Sequence, residues 1–386
     1  MSTQSSIFDQ VNKRLFRRSI GWTGIEIGCH EVKMAQVCKL KGSWRLSSIW
    51  SIENPVPYKS EKKVLPPDRP HRDPESFGWT TPKDVLEHGL APLLNEVENL
   101  SGLFQGKKCA ATLSDGMIAY RELDLPICDP SEARSIVYSE VALEAECDPN
   151  ELITDCWQLP NSRSRSETSS YAAVSMKSIV AEQMALDLLK IGFDCQAMDA
   201  MPCVLARATQ MMIENEKCVT LAIDLGYSQT TITLVQNGGP VLTRSLRNCG
   251  LLSLLESVAK SFEVSLFDAQ TLLFQSSTVD RSYDSSQEKF SNPLRHCLES
   301  YLQALSIEIN KTIEYSDRAF HSIAPEVILL MGAGVKIPFV AKILEQKTSL
   351  PTLLWDMDVS NGQVGSLPIG SFAVSAALSS LAWGAT

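Results

Sequence analysis

The alternation of apolar and polar positions predicts two copies of one strand-and-turn unit. Residues 23–37 have the pattern of a buried strand, a glycine turn and a second strand, and residues 44–52 that of a third strand. Residues 220–235 repeat this pattern, and residues 240–246 return after an Asn-Gly-Gly turn. The copies lie 198 residues apart, about half the chain, and coincide at Ile25/Ile223, Glu26/Asp224, Ile27/Leu225, Gly28/Gly226 and Val37/Val235. The chain is therefore expected to contain two similar lobes.

Helical and strand periods alternate through the rest of the chain and predict an α/β fold with an α+β insert in the first lobe. Before the second unit, the pattern predicts a helix at 84–100, a hairpin of strands at 108–113 and 117–123, a helix from 130 to about 147, strands at 152–159 and 171–175, a helix at 177–191 and a strand at 195–198. After it, the pattern predicts helices at 251–262, 266–275 and 293–321, a strand at 326–331, and helices at 339–348 and 371–382.

This order of elements predicts the division of the chain. We expect a tail or amphipathic helix at 1–19, a first lobe core at 20–105 that is completed by 366–386, and the insert at 106–200. The second lobe core is expected at 217–262 and 323–365, with a helical subdomain at 263–322.

Composition narrows the class of protein. The 386 residues are 44% apolar and 21% charged, which is ordinary for a soluble globular protein. The net charge of −10 disfavours nucleic acid as a partner, because an acidic surface repels a phosphate backbone. The eleven cysteines form no Cys-x-x-Cys pair, so we expect neither a zinc site nor a disulfide framework. Residues 359–386 carry no charge, but Gly and Pro interrupt them, and we expect a buried helix there instead of a membrane span.

Three glycine turns, each directly after an apolar strand, are the candidate chemistry. They are Glu26-Ile-Gly28, Asp224-Leu-Gly226 and Gly332-Ala-Gly334. Free amides of such a turn can bind phosphate oxygens, and a carboxylate two residues earlier can hold hydrated Mg²⁺. A single turn of this kind is more often a plain hairpin, but three in order within a duplicated chain favour a nucleotide site.

The succession of these turns resembles the actin-like nucleotide-binding fold, in which two duplicated lobes close over ATP. Within it, nearly the whole chain resembles the PilM family of type IV pilus assembly, relatives of the division protein FtsA. Stretches that carry the resemblance are Ile25-Glu-Ile-Gly-Cys-His-Glu-Val-Lys33, Leu152-Ile-Thr-Asp-Cys-Trp157, Ile223-Asp-Leu-Gly226, Val327-Ile-Leu-Leu-Met-Gly-Ala-Gly-Val-Lys336 and residues 367–377.

The resemblance implies roles for individual residues. Glu26 and Asp224 would hold Mg²⁺ through water. Contacts to the phosphates of ATP would come from Gly28, Cys29, His30, Lys33, Gly226, Tyr227 and Ser228, and contacts to the nucleoside from Gly332, Gly334 and Lys336. The chain departs from the family where Cys29-His30 and Tyr227 replace small residues, where Leu273 replaces a Lys, and where Ala333 replaces a glycine. These departures imply a degenerate nucleotide site without efficient turnover; no catalytic residue is assigned.

The resemblance also implies partners. We expect a cytoplasmic scaffold, peripheral to the inner membrane, that binds the N-terminal peptide of a PilN-like membrane protein and acts indirectly on a pilus motor ATPase. Two alternatives remain: an active ATPase or small-molecule kinase of the actin-like superfamily, and the cytoplasmic part of a type II secretion platform protein. Residues 6–18 combine an apolar side with four basic residues, and predict either a peripheral membrane helix or a disordered terminus.

Overall fold

A computed structural model of the chain describes residues 19–28, 30–53, 100, 102–112, 118–160, 168–275, 288–320, 323–360 and 368–384. Cys29, residues 6–18 and most of the predicted helix at 84–100 lie outside the described residues. The strands are β1 (Ser19–Ile20), β2 (Thr23–Ile27), β3 (Glu31–Leu40), β4 (Ser43–Glu53), β5 (Lys108–Thr112), β6 (Ala119–Pro126), β7 (Leu152–Gln158), β8 (Thr168–Lys177), β9 (Asp194–Asp199), β10 (Thr220–Leu225), β11 (Thr230–Gln236), β12 (Gly239–Leu246), β13 (Val327–Met331) and β14 (Thr352–Leu354). The helices are α1 (Pro130–Glu144), α2 (Ser178–Lys190), α3 (Met201–Met212), α4 (Leu251–Phe262), α5 (Leu266–Gln275), α6 (Glu288–Ala319), α7 (Val340–Thr348) and α8 (Ala373–Ser379).

Two sheets with the same strand order confirm the predicted duplication. The first runs β4-β3-β2-β5-β9, with β1 beside the far end of β3, and the second runs β12-β11-β10-β13-β14. In each sheet the first three strands are antiparallel and the last two run parallel to the central strand. The registers also correspond, since Glu26 lies opposite Lys33 and Asp224 lies opposite Thr231. The two halves thus place Glu26 and Asp224 at equivalent positions, one at the end of each central strand.

A shared apolar core joins the two sheets. Helices α3 and α8 pack against each other, and their buried side chains cluster with residues of both sheets, among them Val37, Ala110, Ala222 and Leu329. The cluster also contains Trp355, whose indole N–H donates to the carbonyl of Ala208 in α3 at 3.0 Å. Within the uncharged C-terminal segment, residues 373–379 therefore form a buried helix. Among the described residues, no helix combines the length and apolarity needed to cross a bilayer.

The outer faces of the sheets are covered by different layers. In the first lobe, α2 packs with Ile25, Val32 and Met34. In the second lobe, α4, α5, α6 and α7 cover the sheet around Leu221 and Leu234. Helix α6 begins five residues before the predicted start at Pro293, which lies inside it.

The insert is a separate three-stranded sheet, β6-β8-β7, with α1 on one face. The predicted insert at 106–200 spans more than this layer, because β5, α2 and β9 belong to the first sheet and its core. The predicted hairpin of residues 108–113 and 117–123 is wrong: β5 pairs in parallel with β2 and β9, whereas β6 pairs with β8. The burial patterns give the reason, since four of the five β5 residues are buried, as in a central parallel strand, whereas only two of the eight β6 residues are buried.

Candidate functional site

Two glycine turns follow the central strands β2 and β10, and they have the same construction. In the first turn, the amide of Gly28 donates to the carbonyl of Glu31 at 3.1 Å. A Cβ added to Gly28 would lie 2.7 Å from the Glu31 carbonyl oxygen, and one added to Gly226 would lie 2.6 Å from the Gln229 carbonyl oxygen. Both turns therefore require glycine, because any side chain would collide with backbone on the far side of the turn.

A pair of stacked rings connects the two turns. The imidazole of His30 lies on the phenol ring of Tyr227, with the ring centroids 3.8 Å apart and the planes inclined by 11°. His30 belongs to the turn after β2 and Tyr227 to the turn after β10. The stack therefore bridges the cleft between the lobes.

A buried ion pair lies at the end of β2. Lys33 Nζ is 3.0 Å from Glu26 Oε1, and the two side chains are 7% and 12% exposed, respectively. Glu26 Oε2 is buried and has no hydrogen-bond partner among the described residues. Burial raises the pKa of Glu26 above its usual value, and the contact with Lys33 offsets only part of this effect. The carboxylate thus depends strongly on Lys33.

Carboxylates from both lobes influence the pKa of Lys33. Burial by itself lowers the pKa of Lys33, but the attraction of Glu26, Glu31 and Asp224 outweighs burial and raises it. Lys33 therefore remains protonated at neutral pH. Because Asp224 belongs to the second lobe, its influence on Lys33 indicates that the acid-bearing ends of β2 and β10 share one cleft.

The charged groups that influence His30 include one from the third glycine turn, so this turn also lies at the cleft. Burial lowers the pKa of His30; Glu53 and Glu31 counteract this effect, and Lys336 and Lys33 reinforce it. His30 is therefore neutral at pH 7. Lys336, from the turn after β13, is near enough to contribute.

The third turn supports Asp224. Gly332 has φ +89°, and a Cβ added there would lie 2.1 Å from Asp224 Oδ1 and 2.9 Å from the carbonyl oxygen of Leu225. The amide of Gly332 donates to the carbonyl of Gly370 at 3.0 Å. This turn thus lies directly beside the Asp224 carboxylate and is hydrogen-bonded to the segment that leads into α8.

The cleft gathers most of the residues predicted from the sequence. Glu26, Gly28, His30 and Lys33 come from the first lobe, and Asp224, Gly226, Tyr227, Gly332 and Lys336 from the second. Gly334 instead packs against the side chain of Leu225, inside the second lobe, and Ser228 is exposed at its turn. Leu273, where the resemblance leads one to expect a Lys, is buried in the second core.

Sequence reasoning missed Glu31, Glu53 and Gly370. Glu31 and Lys33 are two residues apart in β3 and so have side chains on the same face of the strand, a signal that could have identified Glu31. Nothing local in the sequence indicates Glu53 or Gly370, because tertiary structure alone brings them to the turns.

The side chains of this cleft are suited to bind ATP and Mg²⁺, but the cleft has no room for the nucleotide. Two carboxylates and a lysine are a suitable donor set for hydrated Mg²⁺ and phosphate. The His30–Tyr227 stack, however, fills the gap between the two turns whose amides would bind the phosphates. Lys33 is also engaged with Glu26. As arranged here, the residues do not fit a nucleotide.

Comparison with known proteins gives the fold. No protein-family model matches the sequence, and no curated protein matches it. Among solved structures, the PilM-PilN type IV pilus biogenesis complex matches with a TM-score of 0.64 and 18% identity, over 93% of this chain and 97% of that one. The ethanolamine utilization protein EutJ from Carboxydothermus hydrogenoformans matches with a TM-score of 0.50 and 10% identity, over 97% of each chain. The chain thus has the duplicated, two-lobe actin-like fold, with an arrangement similar to that of PilM.

Proposed function

We propose that this chain is an actin-like scaffold of a type IV pilus or related inner-membrane assembly platform. In this function it lies in the cytoplasm, peripheral to the inner membrane, and binds the N-terminal peptide of a PilN-like membrane protein. It would act on a motor ATPase only through the platform, and residues 6–18 would add a peripheral membrane contact. The observation that carries the proposal is the structural match to the PilM-PilN complex over 93% of the chain.

The junction between the insert and the first lobe offers a surface for such a peptide. Helix α2 exposes three large aliphatic side chains, Ile179 at 57%, Leu186 at 54% and Leu189 at 58%. The β7 residue Ile153, 50% exposed, pairs with Met176, which packs in the first lobe core beside α2. Residues paired across two strands lie on one face of the sheet, so Ile153 belongs to the same junction. An apolar peptide would cover these side chains.

Binding to a synthetic peptide tests the proposal. The probe is a synthetic peptide with the sequence of the cytoplasmic N-terminal segment of a PilN-like membrane protein from the same organism, titrated into the full chain by calorimetry. We expect saturable binding, and we expect Leu186→Glu to weaken it at least tenfold, because a carboxylate would have to be buried against an apolar ligand. Leu272→Glu is the matched control, since Leu272 is 40% exposed on α5 of the second lobe. Absence of binding to the wild-type chain would reject the proposal, and equal loss in both variants would reject the α2 surface.

The enzyme alternative makes a different demand on the cleft. A kinase or ATPase needs room for the nucleotide and a base directed at the acceptor. The stacked rings occupy the gap between the phosphate-binding turns, which favours the scaffold.

A further inference from the structure

We propose that the chain closes its interlobe cleft with its own side chains, and that these take the places of the nucleotide and its metal ion. The His30–Tyr227 stack stands between the two glycine turns, and the Lys33 ammonium provides the positive charge that the acidic residues need. The lobes would then be held together without ATP or Mg²⁺. This inference rests on the cleft alone and is independent of peptide binding at α2.

The ring stack is a direct contact between the lobes. Each ring comes from a turn whose glycine lies against backbone on the far side of the turn, so the rings can separate only if a turn rearranges or the lobes move apart. A centroid separation of 3.8 Å with nearly parallel planes is the separation of rings in van der Waals contact. No phosphate group fits between rings at this distance. A nucleotide could enter only after the stack had separated.

The ion pair is the electrostatic counterpart of the stack. Two carboxylates, one from each lobe, would repel each other across a dry cleft, and a bound metal ion is one means of neutralising them. Here the Lys33 ammonium contacts Glu26 at 3.0 Å and is also stabilised by Asp224. The same lysine therefore attracts an acidic group of each lobe. The Lys33 side chain is only 7% exposed, so its charge is largely shielded from solvent.

The backbone of the third glycine turn lies directly beside Asp224. Gly332 leaves room for the Asp224 carboxylate where a side chain would lie 2.1 Å from Oδ1, and its amide is held by the Gly370 carbonyl. Gly370 precedes α8, the helix in the core shared by both sheets. Closure of the cleft is thus continuous with the core that joins the lobes.

Nucleotide binding by the full chain and by a variant without the rings tests the proposal. Mg-ATP is titrated into the wild-type chain and into the double variant His30→Ser, Tyr227→Ser, with calorimetry and the thermal midpoint as measurements. We expect no saturable binding and no midpoint shift for the wild type. For the double variant we expect saturable binding, because serine restores the small side chains that leave the turns open. A ligand at about a hundred times its Kd raises the midpoint by several degrees, which is readily measured.

A matched control separates this effect from a general loss of aromatic residues. His296→Ser with Tyr315→Ser removes the same two side-chain types from exposed positions on α6, and we expect it to behave like the wild type. Saturable Mg-ATP binding by the wild-type chain would overturn the proposal. Failure of the folded double variant to bind would overturn it as well.

Hydrogen exchange keeps the proposal testable if the double variant does not fold. In His30→Ser alone, the second turn has its native sequence, but its contact across the cleft is lost. We expect amides 226–229 to exchange about two- to tenfold faster, the factor that corresponds to one aromatic pair. Unchanged exchange there would show that the stack does not hold the lobes together.

Discussion

Replacement of Lys33 by methionine removes the ammonium from the cleft and keeps most of the apolar stem. The Glu26 carboxylate, whose side chain is 12% exposed, then has no cation in contact. Loss of one partner of a buried ion pair costs about 3–5 kcal/mol, because the remaining charge stays desolvated. In a lobe of this size each kcal/mol lowers the midpoint by about 2–4 °C, so we expect a fall of about 6–20 °C near pH 8.

The dependence on pH identifies the cause of this loss. Burial already raises the pKa of Glu26, and removal of Lys33 raises it further. A carboxyl whose folded pKa exceeds its unfolded value contributes full stability below the unfolded pKa and loses it as the pH rises through the folded pKa. The variant should therefore be least stable near pH 8 and recover toward about pH 5 as Glu26 takes up a proton.

The double variant Glu26→Gln, Lys33→Met is the control, and urea and thermal unfolding across this pH range are the assays. Without either charge, the chain should regain most of the lost stability and show no such pH dependence, since a well-packed neutral pair often replaces a buried ion pair without loss. The reasoning is refuted if Lys33→Met costs less than about 1 kcal/mol at pH 8, the range of an exposed pair. It is also refuted if the double variant is no more stable than the single one.

Three further predictions concern the turns and the shared core. Gly332→Ala should lower the free energy of unfolding more than Gly42→Ala does. Both glycines have φ near +89°, but of the two only Gly332 lacks space for a Cβ. We expect a loss of about 1 kcal/mol at Gly42 and of about 3 kcal/mol or more at Gly332, measured by urea unfolding. Because the pKa of His30 is lowered in the folded chain, its contribution to stability is present above pH 6.5 and is lost as the pH falls below that value. The thermal midpoint of the wild type should therefore drop more between pH 7 and 5 than that of His30→Phe, which keeps a ring but does not titrate. Trp355→Phe removes the indole donor to α3 and should cost about 1–3 kcal/mol in thermal unfolding, whereas an unchanged midpoint would show that the buried bond adds nothing.

The parts of the fold that depend on local hydrophobic pattern could be predicted from the sequence. Alternation along residues 23–37 and 220–235 predicted the hairpins β2-β3 and β10-β11, and the turn between each pair follows a glycine that its geometry requires. Helix α3 and strand β14 were missed. Strand β14 has only three residues, and only one residue of α3 is exposed, so this helix lacks the polar face that marks an amphipathic helix in a sequence.

The cleft was predicted in outline. The offset of 198 residues made Glu26 and Asp224 equivalent, and the structure places them at corresponding ends of the two central strands. The contacts that Lys33 and Tyr227 make in the structure could not be predicted from the sequence. Lys33 pairs with an acid in its own lobe, and the ring of Tyr227 lies on His30 from the other lobe.

By itself, the sequence determined the two similar lobes, their glycine turns and the acid at the end of each central strand, since hydrophobic period, turn residues and internal repetition are properties of short segments. Only the tertiary structure decided what fills the space between the lobes. That space is bounded by turns about 200 residues apart in the chain. Whether two side chains meet across it depends on how α3 and α8 pack between the sheets, and no local pattern records that packing.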